Sequence, residues 1–174
     1  GTMYNCSNSG KITSGAMAVI TGLYASPNST VRIGGLSGDC GSHVSQCTNT
    51  GDIVVSSVDK AEIGGIAGNY HTGTMTSTSN YGKFSFNGDI IQSCTLGGLV
   101  GVAENTEKTI NDCTNNAPVV GNNGTWLSRT GGLIGTAGKI NINGCTNNGD
   151  VTGGTGGLDT SPSYATGYTG FSSY

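Results

Sequence analysis

Six cysteines, two histidines and ten carboxylates are the side chains of this 174-residue chain that could bind a metal, close a disulfide or move a proton. Their spacing argues against most of that chemistry. No two cysteines stand at C-x-x-C spacing and only His43 and His71 could complete a zinc set, so no metal site is predicted. Gly153-Gly154-Thr155-Gly156-Gly157-Leu158-Asp159 looks superficially like a calcium-binding turn, but its Asp falls one residue late and the motif does not recur; it reads as a glycine tract. Glycoside chemistry generally needs two carboxylates across one cleft. Asp52 and Asp150 hold equivalent places in the sequence, yet Lys11, Lys83 and Pro118 hold the same place elsewhere. Asp39, Asp59, Glu62, Asp89, Glu104, Glu107 and Asp112 are scattered, with no Arg or His regularly beside a pair. No catalytic residue and no cofactor is therefore assigned, and an enzyme fragment of the polysaccharide-active kind is kept only as a residual reading.

The residues that do recur are of another kind. A phrase Gly-Gly-Leu/Ile-x-Gly appears at Gly34–Gly38, Gly64–Gly68, Gly97–Gly101 and Gly131–Gly135. The steps between copies are 30, 33 and 34 residues. A companion phrase follows about a dozen residues later, beginning at Cys6, Cys47, Cys113 and Cys145, with a degenerate copy at Thr78. Two residues on from each of these stands an asparagine: Asn8, Asn49, Asn80, Asn115 and Asn147. Self-similarity at this period predicts a solenoid, in which no unit buries its own apolar face and each must stack on its neighbours.

The rest of the composition agrees. Thirty-two glycines, 34% hydrophobic residues and only 10% charged residues point to short strands and tight turns rather than helices. A net charge of −3 excludes the electrostatic footprint of a nucleic-acid or anionic-lipid binder. No apolar run approaches membrane-spanning length and no signal peptide is recognisable. The predicted fold is all-β: a parallel β-helix of about five coils, with 30–34 residues per repeat. Its layout is a repeat region over 1–152, comprising a cut first coil at 1–12, an insert at 16–32 and full repeats over 33–152. A Gly/Ser/Tyr-rich tail, or the start of a further coil, covers 153–174. The tail carries Tyr164, Tyr168, Phe171 and Tyr174 at spacings of three or four and could lie across a neighbouring copy; its glycines and serines equally permit disorder.

Within one unit, Leu133 and Gly135 are placed on one face of a short strand and Ile134 on the other, while Lys139–Asn143 alternates as a half-buried strand should. Cys145, Asn147, Gly149 and Val151 share a face by period two, as do Cys47, Asn49, Gly51 and Ile53. The asparagines are predicted to form an axial ladder, since an amide carries both donors and acceptor and also satisfies turn backbone. Cys6, Cys47, Cys113 and Cys145 form a second ladder. Stacking would bring Cys6 to Cys47 and Cys113 to Cys145, but parallel Cβ vectors ~4.8 Å apart, against the ~3.8 Å of a bridge, favour buried free thiols. A hydroxyl rank at Ser7, Thr48, Ser79, Thr114 and Thr146 reads as solubility and strand propensity.

These phrases, as they run from Gly34-Gly35-Leu36-Ser37-Gly38 to Gly51-Asp52-Ile53 and from Gly131-Gly132-Leu133-Ile134-Gly135 to Gly149-Asp150-Val151, resemble the GLUG repeat family of bacterial surface proteins, which also occurs in the ectodomains of IgA-protease-like enzymes. The likeness covers roughly residues 30 to 152; Asn115-Asn116-Ala117-Pro118 lacks the family's Gly and Thr78 replaces its Cys. The resemblance implies a right-handed parallel β-helix serving as an extracellular stalk, adhesin or filament, without catalytic residues.

The expected function is accordingly structural, at the cell surface, with the first coil cut and no polar cap at either end favouring end-to-end stacking into a homo-oligomer or filament. The alternative is a glycan- or host-protein-binding repeat module of a larger surface protein. For that reading the irregular inserts matter most, and Tyr24, Trp126 and Tyr70 are the aromatic side chains predicted to make contact. Trp126 could instead cap the coil interior. Asn5-Cys6-Ser7, Asn28-Ser29-Thr30 and Asn123-Gly124-Thr125 fit the glycosylation sequon.

Overall fold

The computed structural model describes residues 1–14, 30–103, 106–122, 127–154, 164–166 and 169–172. Every regular element among them is a β-strand, and every strand pair is parallel. Among the described residues no helix is long and apolar enough to cross a membrane. The chain winds into a β-solenoid, as its repeats predict.

Four sheets run along the axis. Sheet A stacks Thr2–Tyr4, His43–Ser45, Thr74–Thr76, Lys108–Asn111 and Ile140–Asn143. Sheet B stacks the short Ser7–Asn8, Thr48–Asn49, Ser79–Asn80, Thr114–Asn115 and Thr146–Asn147. Sheet C holds Ile12–Thr13, Ile53–Gly64, Phe84–Gly97, Leu127–Gly131 and Tyr164–Thr166, with Thr30–Gly34 paired to Ile53–Gly64. Sheet D stacks Ser37–Cys40, Ala67–Tyr70, Val100–Ala103, Ile134–Ala137 and Thr169–Ser172. A small fifth pair joins Val119–Val120 to Val151–Thr152. The register is that of the repeats: Gly34 lies opposite Gly64, Gly64 opposite Gly97, and Gly97 opposite Gly131.

The coil count needs correction. Sheets A and B show five rungs, but the stack amounts to about three turns rather than five coils. Counting phrases overcounts circuits, because the first and last phrases each supply rungs without supplying all sides of a coil. In the tail, residues 164–166 and 169–172 continue sheets C and D, which is how a further coil would begin.

Burial fills the lumen with like residues on successive rungs. Val44, Met75 and Ile110 stand in register in sheet A, and Ile63 and Leu96 in sheet C, all at most 1% exposed. Each such side chain contributes roughly 1.5–3 kcal/mol by leaving water. The placement expected for Leu133 and Ile134 on opposite faces is not found: both are buried. Gly131-Gly132-Leu133 forms the corner, and the strand begins only at Ile134. At these corners two successive amides converge on one carbonyl of the next coil, Ile66 and Ala67 on Leu99 O, then Leu99 and Val100 on Leu133 O. The alternation expected at Lys139–Asn143 is seen from Ile140, where Ile140 and Ile142 are the inward pair.

Candidate functional site

The corner between sheets A and B is the most regular part of the molecule. It is made by one residue in the left-handed region, with φ of 53° at Asn5, 55° at Gln46, 47° at Ser77, 51° at Asp112 and 62° at Gly144. Four of the five are not glycine, although a non-glycine residue is uncommon there. The next side chain spans the bend: Cys47 Sγ donates to Ser45 O at 3.2 Å and Cys113 Sγ to Asn111 O at 3.1 Å. Thr78 Oγ1 does the same to Thr76 O at 2.9 Å, so the degenerate copy keeps the bond with a hydroxyl. These rungs also touch axially, the amides of Cys6, Cys47 and Cys113 donating to Cys47 Sγ, Thr78 Oγ1 and Cys145 Sγ, each at 3.4 Å.

Two residues further on lies the amide ladder. Asn8, Asn49, Asn80 and Asn115 each donate through Nδ2 to the Oδ1 of the asparagine in the next coil, at 2.9, 2.9, 3.0 and 2.8 Å, ending on Asn147. The second Nδ2 proton of Asn49 goes to Gly51 O at 3.0 Å, and Asn49 Oδ1 accepts from Gly51 N at 3.2 Å. Asn80 and Asn115 repeat this with Gly82 and Ala117. Each interior amide thus uses both protons and both lone pairs while fully buried, which is the condition for a stabilising polar group in a core. Across the lumen, a Cβ on Gly35, Gly65 or Gly98 would collide with the amide of Asn49, Asn80 or Asn115 and with the backbone of the next coil. That contact explains why the two recurring phrases travel together: the second glycine of one is the wall against which the asparagine of the other rests.

Chemically this arrangement serves to hold, because a primary amide neither gains nor loses charge near neutral pH. The thiols behave differently. All six cysteines are free. The neighbouring thiols of Cys113 and Cys145 shift in opposite directions, the half-buried Cys145 lowered by its interaction with Cys113 and the buried Cys113 raised by the same interaction and by burial. Burial pushes Cys94 up to about 12 and raises Cys40. Among the described residues no group of three or more His, Cys, Asp or Glu could hold a metal.

The aromatic contact residues fare worse. Tyr70 is fully buried against the apolar core, its phenol raised by desolvation, so the expected surface contact there is corrected. Its place in sheet D, opposite Cys40, turns it inward. Tyr24 and Trp126 lie outside the described residues. Asp52 is tied to the scaffold, accepting the Lys83 amide at 3.0 Å. Sequence reasoning also missed an outer charge cluster, in which Arg32 meets Glu62 at 2.8 Å and Asp39 at 3.5 Å while His71 meets Asp39 at 3.0 Å. Register alignment of the repeats would have found it; as exposed pairs these contribute little. A buried Lys108, whose Nζ donates to Thr106 O at 2.8 Å, gave no signal in composition or spacing.

Comparison with protein-family models, curated proteins and solved structures found no match to this chain.

Proposed function

We propose that this chain is a structural segment of an extracellular, cell-surface protein: a stalk, adhesin segment or self-stacking filament subunit, without a reaction of its own. The observation that carries the reading is the amide ladder, whose interior members spend every hydrogen-bonding group on their own turn and on the next coil. A side chain so committed serves continuity along the axis, and the GLUG-like phrases of the sequence point the same way. At the ladder's end Asn147 donates one Nδ2 proton to Gly149 O at 2.7 Å, and no described residue accepts the other. A further coil with an asparagine at this place, in the same chain or in a second copy, completes it. Negative-stain microscopy of the purified chain tests the self-stacking form: fibres of constant width support it, and monodisperse short rods at high concentration exclude it.

A second reading, a glycan- or host-protein-binding repeat module, is favoured by one observation. Where Ala117-Pro118 departs from the repeat, a cleft of about 600 Å³ opens between coils, lined by Phe84, Phe86, Val120 and Asn122 among others. Half-exposed Val120 and the partly buried Phe84 and Phe86 offer an apolar floor. Binding of the rods to a glycan array, lost in Phe86→Ser, would favour this reading.

A further inference from the structure

Thr78 does more than fill a rung. By replacing the third cysteine it divides the thiol ladder into two isolated pairs, Cys6 with Cys47 and Cys113 with Cys145. In each pair one thiol is reachable from solvent, exposed at Cys6 and half-buried at Cys145, and its neighbour is buried. In each pair the backbone N–H of the earlier cysteine donates to the later sulfur at 3.4 Å, and that sulfur in turn donates to a backbone carbonyl, Cys47 to Ser45 O at 3.2 Å and Cys145 to Ile110 O at 3.4 Å. Cys40 and Cys94 have no such neighbour; their rungs pair them with Tyr70, and with Ala61 and Ser128.

We propose that each ladder pair is a two-coordinate site for a soft monovalent d10 cation, cuprous or silver ion, held in line between two thiolates. The geometry that opposes a disulfide suits this ligation. A bridge needs sulfurs ~2.05 Å apart and Cβ atoms at ~3.8 Å, against side chains that leave parallel rungs in the same direction. Taking the ~2.3 Å of a zinc–thiolate bond as the scale, two metal–sulfur bonds laid end to end span ~4.6 Å, close to the ~4.8 Å rise between rungs. Linear coordination sets both Cβ–S bonds across the S–metal–S axis, an arrangement that like-pointing side chains can supply. Thiolate softness selects such ions over the hard divalent ones. The reaction is a simple exchange without redox change: one cation and two thiols give one dithiolate complex of charge −1 and release two protons to solvent. The C-x-x-C spacing that zinc would need is irrelevant here, because the two ligands come from neighbouring coils.

Thr78 also supplies the fold-preserving variants, since threonine keeps the bond to the carbonyl two residues back. Cuprous ion is titrated anaerobically into the reduced full chain against a chromophoric cuprous chelator, with silver ion as the redox-inert parallel. The expected result is two tightly held equivalents in the parent, one in Cys47→Thr, one in Cys113→Thr and none in the double variant. Each lost site should weaken by at least 100-fold, whereas Cys40→Ser and Cys94→Ser should change nothing. Six equivalents that fall by one per cysteine removed, or an affinity no greater than that of the chain unfolded in urea, would overturn the proposal. Circular dichroism of the variants must match the parent; a variant that fails this is replaced by Cys6→Ser or Cys145→Ser, whose thiols are not fully buried.

Discussion

The corner between sheets A and B and the long side formed by sheet C face the same solvent and are built from the same chain, yet they are specified differently. At the corner five rungs repeat one set of contacts, and the buried amides are fully paired. Along sheet C the strands are longer, the pairing of Ile53–Gly64 with Phe84–Gly97 slips twice between Asn87 and Ser93, and the next coil pairs with Phe84–Gly97 only from Leu127 opposite Ser93 onward, Val119–Val120 pairing with Val151–Thr152 instead. There the buried Asn122 Oδ1, Ser128 Oγ and Thr130 Oγ1 have no partner among the described residues. Strict repetition at the corner lets each asparagine find its counterpart one rung away, and the irregular side offers these three groups no such pairing. Bulges in turn blunt a strand edge against unwanted pairing.

Substitutions on the two sides should therefore differ in sign as well as in size. The largest effect is expected from Gly65→Ala, whose methyl collides with the Gly98 carbonyl and the Asn80 amide at once; a loss of ~3 kcal/mol or more is expected in urea unfolding. Asn49→Leu follows, removing about 1–3 kcal/mol by leaving buried partners in two coils unsatisfied. An unchanged midpoint there would mean that the ladder contributes nothing. On the other side, Ser128→Ala deletes a hydroxyl with no partner among the described residues, so stability should hold or rise by about 1 kcal/mol. A clear loss would reveal a hidden partner and erase the contrast between the two sides. Smallest of all, Cys113→Thr should shift stability by less than ~1 kcal/mol, because Thr78 already makes the same bond in the equivalent place one coil earlier. Reaction with iodoacetamide offers a kinetic version: Cys145, half-buried and lowered by its neighbour, should alkylate well before Cys113 by mass spectrometry.

Much of the corner was legible from spacing alone. Asn8, Asn49, Asn80, Asn115 and Asn147 recur at one offset, and an amide repeated at the period of a coil has few other uses. The side-chain partners of the asparagines, by contrast, include glycines fourteen or more residues earlier in the chain, such as Gly35 against Asn49, and only the lumen's width reveals that contact. The left-handed residue was hidden for a different reason: Asn5, Gln46, Ser77, Asp112 and Gly144 share a backbone angle and no side-chain chemistry. Tyr70 misled because an aromatic in a loop-like, glycine-rich stretch reads as exposed, while strand register decided that it points inward. Turn number was misjudged because a phrase marks a rung and not a circuit.

One property of the amide ladder reaches beyond stability. Each asparagine hands its proton to the coil that follows it in the chain, never to the one before. The stack therefore carries a sense of direction, as a row of one-way hooks does. Turning one molecule over to meet its twin would set proton against proton, so a joint made through these amides is head to tail, and a twofold dimer through the same face is ruled out by its own chemistry.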